Sequence, residues 1–184
     1  MARTRLFLAV MLLFAAPVLG YSQEAPKWSY IEAGYIDFDP DAGLSDDGWF
    51  AGGSIHILKN FQLVAEYNDI GDYTLWNAGF GWHGLFGDPG DLFAQIVWND
   101  VQVDSSNVSD DGYGLAAGVR WKLAKWFEAK GQVNWNDYDQ AESDTTVEVG
   151  ALFSMLEDRF GFGAEYESGD ADILRAYFRI NFGK

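Results

Sequence analysis

From about residue 28 to 182 the chain alternates bulky apolar side chains with polar, charged or small ones, in stretches of about ten residues separated by turns and acidic loops. Between 112 and 123, Tyr113, Leu115, Ala117, Val119, Trp121 and Leu123 share one face, and Gly114, Ala116, Gly118, Arg120 and Lys122 share the other. The segment 127 to 135 repeats the split, and 174 to 182 does so again, with Leu174, Ala176, Phe178, Ile180 and Phe182 opposite Arg175, Tyr177, Arg179 and Asn181. Successive side chains on a strand point to opposite faces, so a period of two predicts strands with two unlike environments. Here one face carries aliphatic and aromatic bulk while the other carries glycine and ions. A wall that meets lipid outside and a narrow lumen inside accounts for that sense; a soluble barrel would bury the bulk and expose the charge.

The pattern places ten strands at 28–38, 48–58, 61–69, 73–83, 91–101, 112–123, 126–136, 145–155, 159–167 and 172–182. Each is close to the ~9 to 11 residues with which a tilted strand crosses a bilayer. The predicted fold is all-β, a closed antiparallel up-and-down transmembrane β-barrel of ten strands, or eight if two short segments fail. An even count puts both termini on one side, the periplasmic side in an outer membrane. Aromatic residues are expected in two belts at the strand ends, with Trp28, Trp82, Phe93, Trp121 and Phe178 in one and Tyr35, Trp49, Tyr67, Trp98 and Tyr113 in the other.

Ahead of the barrel, Arg3 and Arg5 precede an apolar run from Leu6 to Leu19, followed by small residues at Gly20 and Ser22. The run is too short for a spanning helix and reads as a secretory signal peptide, cleaved after Gly20 or after Ser22. That divides the chain into a signal peptide at 1–20, a short periplasmic segment at 21–27 and the barrel at 28–184.

Charge sharpens the picture. With 12 basic and 28 acidic residues the formal net charge is −16, which argues against nucleic acid as a partner. There is no cysteine, hence no disulfide framework and no thiolate metal site. Eighteen of the 28 acidic residues fall in or beside one set of loops, among them Asp39, Asp41, Asp46, Asp47, Asp110, Asp111, Asp137 and Asp139, with no lysine or arginine among them. They are expected to form an acidic crown at the extracellular end that binds divalent cations loosely. The stretch Asp37 to Asp41 begins like a calcium loop but has Ala42 at the sharp-turn position and Gly48 where the bidentate glutamate belongs, so no specific metal site and no cofactor is predicted.

The lumen face is the other place for chemistry. Its predicted ionisable members are Glu32, Glu66, Glu128, Glu148 and Glu165 against Arg120, Lys122, Lys130, Arg175 and Arg179, with His56 and His83 toward the periplasmic half. Balanced charge in a narrow space reads first as an ion-paired plug, and second as the lining of a thin conducting path. Lumen glycines such as Gly34, Gly79, Gly150 and Gly163 should leave space. Ser54 and His56 are spaced like a reversed version of the His-x-Ser pair of lipid A deacylases, but with two histidines and no cysteine an enzyme is not expected.

Several short motifs resemble a known family. Tyr30-Ile-Glu-Ala-Gly-Tyr35, Asp47-Gly-Trp49, Asp111-Gly-Tyr113 with Ala117-Gly-Val-Arg120, and Glu167-Ser-Gly-Asp170 resemble the small outer-membrane barrels described as regulated by a diffusible signal factor. The ending Tyr177-Phe-Arg-Ile-Asn-Phe182 resembles the C-terminal strand signal for barrel assembly, carried by Tyr177, Ile180 and Phe182 and extended here by Gly183 and Lys184. The resemblance implies an outer-membrane protein of a Gram-negative cell, linked to biofilm, surface sensing or vesicle release, and brings no catalytic residues. Its expected partners are outer-membrane lipid and lipopolysaccharide, with the barrel-assembly machinery and periplasmic chaperones during biogenesis. The leading expectation is a surface or envelope structural or interaction protein. The alternative is a narrow cation-preferring porin-like channel, ahead of a lipid A or peptide hydrolase and a soluble periplasmic ligand-binding barrel.

Overall fold

A computed structural model describes residues 25–40, 45–85, 89–103 and 108–182. The strands are β1 (Tyr30–Pro40), β2 (Asp46–Leu58), β3 (Phe61–Ile70), β4 (Tyr73–Leu85), β5 (Gly90–Val103), β6 (Val108–Ala124), β7 (Phe127–Tyr138), β8 (Asp144–Met155), β9 (Phe160–Ser168) and β10 (Ala171–Asn181). All pair antiparallel with their neighbours in sequence, and β1 pairs with β10 from Tyr30 opposite Asn181 to Pro40 opposite Ala171, closing a ten-stranded barrel. Closure leaves no unpaired edge, which is the condition for crossing lipid with strands. The predicted signal peptide at 1–20 and the terminal Gly183 and Lys184 lie outside the described residues.

Several strands run further toward the loop end than the alternation suggested. The β5–β6 hairpin stays paired to Val103 opposite Val108, so Asp110 and Asp111, expected in a loop, lie within β6. Asp39, Asp46, Asp47 and Asp137 are likewise strand residues, whereas Asp139 follows β7 and Asp41 lies outside the described residues. The physical reason is that a ladder gains backbone hydrogen bonds with each added pair whether or not its side chains are polar. Once the strand has left lipid, aspartates no longer oppose it.

Burial follows the predicted inversion. Phe80 is 61% exposed, and Ile31 and Phe162 are each 54% exposed on the outer wall, while Gln62, Asn68, Arg120, Lys122 and Arg179 are buried inside. So large and continuous an apolar surface needs a nonaqueous surrounding. Two members of the expected belts depart from it: Trp28 and Phe93 are buried in the lumen, because Trp28 precedes β1 and turns inward, and Phe93 shares the inward parity of Asp91 and Gln95. The lumen also contains a small apolar cluster of Ile36, Phe50, Ile70, Leu152 and Tyr177, flanked by Phe38 and Ile173.

The lumen glycines seat large neighbours in the space they leave. Tyr177 on β10 lies between Gly34 of β1 and Gly163 of β9 in register, and a Cβ at Gly163 would overlap its ring. At the terminal end, the β8–β9 turn holds Leu156, Glu157 and Asp158 at φ of 51°, 58° and 63°. That left-handed run costs roughly 1–2 kcal/mol per residue. It is offset where the Asp158 carboxylate pairs with Lys122 and its carbonyl accepts a 2.6 Å hydrogen bond from Asn181 Nδ2.

Gly163→Val should therefore force Tyr177 out of its seat and lower the stability of the detergent-folded barrel by about 1–3 kcal/mol, the usual cost of overpacking. Urea unfolding followed by heat-modifiable gel migration measures it. An unchanged midpoint would show that Tyr177 moves aside without cost.

Candidate functional site

The inward faces assemble a polar lumen in which ion pairs form three levels. Nearest the termini, Arg120 Nε lies 2.6 Å from Glu128 Oε1 and Lys122 pairs with Asp158. In the middle, Arg179 Nη2 lies 2.6 Å from Glu32 Oε2, and Lys130 Nζ lies 2.6 Å from Glu148 and 3.3 Å from Glu165. Toward the loops, Arg175 Nη1 lies 3.0 Å from Glu167 Oε2 and Nη2 lies 3.9 Å from Glu66 Oε1. All ten residues predicted for the lumen face inward; nine of them pair among themselves, and Lys122 pairs with Asp158.

The pairs are mostly not between residues directly opposite in register. Arg120 faces Lys130 across β6–β7, a like-charge register that Arg120 escapes by pairing diagonally with Glu128. Lys130 reaches Glu165 on β9 past Gly150 of β8, where a Cβ would meet the Glu165 side chain. Every partner matters here, because a buried charge without a counter-ion is costly.

The lumen holds more acids than the five expected. Glu167 faces inward two residues beyond Glu165. Its carboxylate takes hydrogen bonds from Thr146 Oγ1, from Asn134 Nδ2 at 3.0 Å and from Arg175. Asp91 and Asp158 also turn inward and are buried. Parity from Glu165 gives Glu167, and parity from Gln95 and Asn99 gives Asp91; Asp158 sits in a turn, where alternation carries no information.

The acidic crown divides between the two faces. Asp46 and Asp110 take inward parity at the rim, while Asp39, Asp47, Asp111 and Asp137 take outward parity, and Asp139 is exposed beyond β7. Among the described residues no three acidic or histidine side chains are placed to hold a metal ion. Ser54 Oγ donates to the Trp28 carbonyl at 2.8 Å and lies 3.2 Å from Gln62 Oε1, so its hydroxyl is not directed at His56. In β10, Tyr177 points inward with its hydroxyl 3.0 Å from Glu165, whereas Phe182, just beyond β10, is 41% exposed.

A feature that alternation could not show closes the terminal end. The segment 25–29 crosses the mouth from β1 to β6, which stand opposite each other in a ten-strand ring. Trp28 Nε1 donates to Asp91 Oδ2 at 2.6 Å, its ring stacks on His83 at 4.6 Å, and the Arg120 guanidinium lies 4.4 Å above it. Arg120 Nη1 also donates to the Lys27 carbonyl at 2.9 Å. His83 Nδ1 lies 3.4 Å from Asp91 Oδ2, completing a floor fastened to β2, β4, β5 and β6.

Above this floor lies a cavity of about 750 Å³, running from Trp28 and Phe93 to Pro40, Val103, Asp110 and Asp170 near the loops. Eight carboxylates line it: Glu32, Glu66, Asp110, Asp144, Glu148, Glu165, Glu167 and Asp170. Three cations do so: Lys130, Arg175 and Arg179. The excess of negative charge makes the cavity favourable to cations, and its low-dielectric walls strengthen the field.

No family model and no curated protein matches the chain. Among solved structures it is similar to a KdgM porin, at 11% identity and a TM-score of 0.51, over 84% of this chain and 99% of the porin. It is also similar to a KdgM porin in complex with disordered oligogalacturonate, at 10% identity and a TM-score of 0.50, over 86% of this chain and 100% of the other. At these identities the likeness is one of fold alone.

Proposed function

We propose that this protein is a narrow, cation-preferring channel of a Gram-negative outer membrane, held closed at its periplasmic end by its own N-terminal segment. The observation that carries the reading is the lining of the cavity, with eight carboxylates against three cations. Each of those cations is within 4.0 Å of at least one carboxylate, so no free positive charge is left to attract anions. The oligogalacturonate of the similar complex is a polyanion, for which this lining has the wrong sign. The proposal includes removal of residues 1–20 on export, periplasmic termini, and lipopolysaccharide as the neighbour of the loop end. It also includes loose divalent-cation binding by the rim aspartates, insertion by the barrel-assembly machinery after chaperone escort, and the envelope role implied by the diffusible-signal-factor resemblance.

The fastened floor favours a second reading, a sealed structural barrel of the envelope in which the ion pairs serve stability alone. Single-channel conductance of the refolded protein in planar bilayers, under a potassium chloride gradient, separates the two. Small steps with a cation-selective reversal potential are expected; silence from demonstrably folded barrels would sink the channel and leave the sealed barrel.

Trp28→Ala removes the centre of the floor, and it should raise open probability or step size several-fold while the barrel remains folded. Unchanged conductance would mean that ions do not pass where Trp28 lies.

Arg175→Gln and Arg120→Gln should behave differently. Arg175 lines the cavity, and its loss should shift the reversal potential further toward cations. Arg120 binds the floor, so its loss should loosen the terminal closure with less effect on selectivity. Both leave a buried carboxylate short of a partner and should cost roughly 3–5 kcal/mol of stability in urea unfolding. Equal shifts in reversal potential would remove the distinction between floor and lining.

A further inference from the structure

We propose that the cavity contains a binding site for a small organic cation bearing a primary ammonium group, held by Glu66 and Asn68 on β3. The inference deepens the channel reading of the same cavity and rests on it. Asn68 is 1% exposed and lines the cavity, yet its Oδ1 has no hydrogen-bond partner. A buried carbonyl oxygen left without a donor is costly, which points to a ligand that brings N–H groups. Its Nδ2 donates to Glu66 Oε1 at 3.0 Å, so the amide is oriented with its acceptor end free.

Glu66 supplies the charge. Its side chain is 27% exposed, against 10% or less for the carboxylates of the other ion pairs, and its partner Arg175 stands 3.9 Å away while bonding Glu167 at 3.0 Å. Among the ion-paired lumen carboxylates it is the least committed to its counter-ion and the most exposed. An ammonium group matches both oxygens, with one donor for the carboxylate and another for the amide. Arg175 Nε is also buried without a partner, but as a donor it offers nothing to an ammonium and stands outside the proposal.

The rest of the ligand is described by the neighbouring wall. Ile36, Ile70 and Leu75 line the cavity beside Asn68, and an aliphatic chain laid along them would keep its methylenes out of water. Asp110, Asp144 and Asp170 near the mouth would receive a second ammonium, so a linear aliphatic diamine fits the lining better than a monoamine.

The test is calorimetric titration of the full, detergent-folded chain with 1,4-diaminobutane at constant ionic strength, beside tetramethylammonium, which has the charge but no N–H donor. Saturable binding of the diamine is expected, with no comparable binding of tetramethylammonium and an affinity loss of about tenfold in Asn68→Leu, the size of one charge-assisted hydrogen bond. Glu66→Gln should lose at least as much and serves if Asn68→Leu does not fold. Equal binding of both cations, binding unaffected by either variant, or no binding to folded protein would overturn the site. Binding in micelles needs no current, so the two readings fail separately. Saturable binding by a barrel silent in bilayers would sink the channel and keep the site. Cation-selective current without discrimination between the two probes would do the reverse.

Discussion

The constraint on which everything else depends is that a backbone within lipid has no water to bond. The pairing of β1 with β10 satisfies the last two edges, and it does so in unbroken register over the full length of β1. Once the ring is closed, every residue has one of two fates. Outward positions within lipid must be apolar, so Phe80 and Phe162 lie exposed on the wall; inward positions enclose a space too narrow to hydrate fully, so its charges must find one another.

That second fate explains the diagonal geometry of the lumen. Ten strands bring acids and bases from distant parts of the chain onto one surface, and register alone would set Arg120 opposite Lys130. Diagonal contacts, and the gap left by Gly150, turn this into a set of mutually satisfied pairs. The pairing is not neutral overall: carboxylates outnumber cations along the cavity, and the surplus lies toward the loop end, where fewer protein groups compete for it. Stability and ion preference are thus two consequences of one arrangement.

The two ends of the barrel differ in kind. At the terminal end, Trp28 exchanges exposure for a stack on His83, a bond to Asp91 and a guanidinium above it, and the chain just before β1 becomes a floor. At the loop end, aspartates stay within long paired strands. Among the described residues, the floor at the terminal end is thus made of peripheral chain and the wall of sheet.

The fold was largely legible because a period of two is a direct record of two environments: it yielded the strand count, the inward set from Glu32 to Arg179, and the inverted sense of the wall. Parity within the predicted strands 159–167 and 91–101 also gives Glu167, two residues from Glu165, and Asp91, in step with Gln95 and Asn99. What alternation cannot encode is distance between strands far apart in sequence. That Arg179 joins Glu32, that Lys130 passes Gly150 to reach Glu165, that Trp28 spans the mouth to β6 and that the Asn68 carbonyl oxygen is left without a donor were decided only by the closed tertiary structure. A local pattern specifies which way a side chain points; only the tertiary structure determines what it meets.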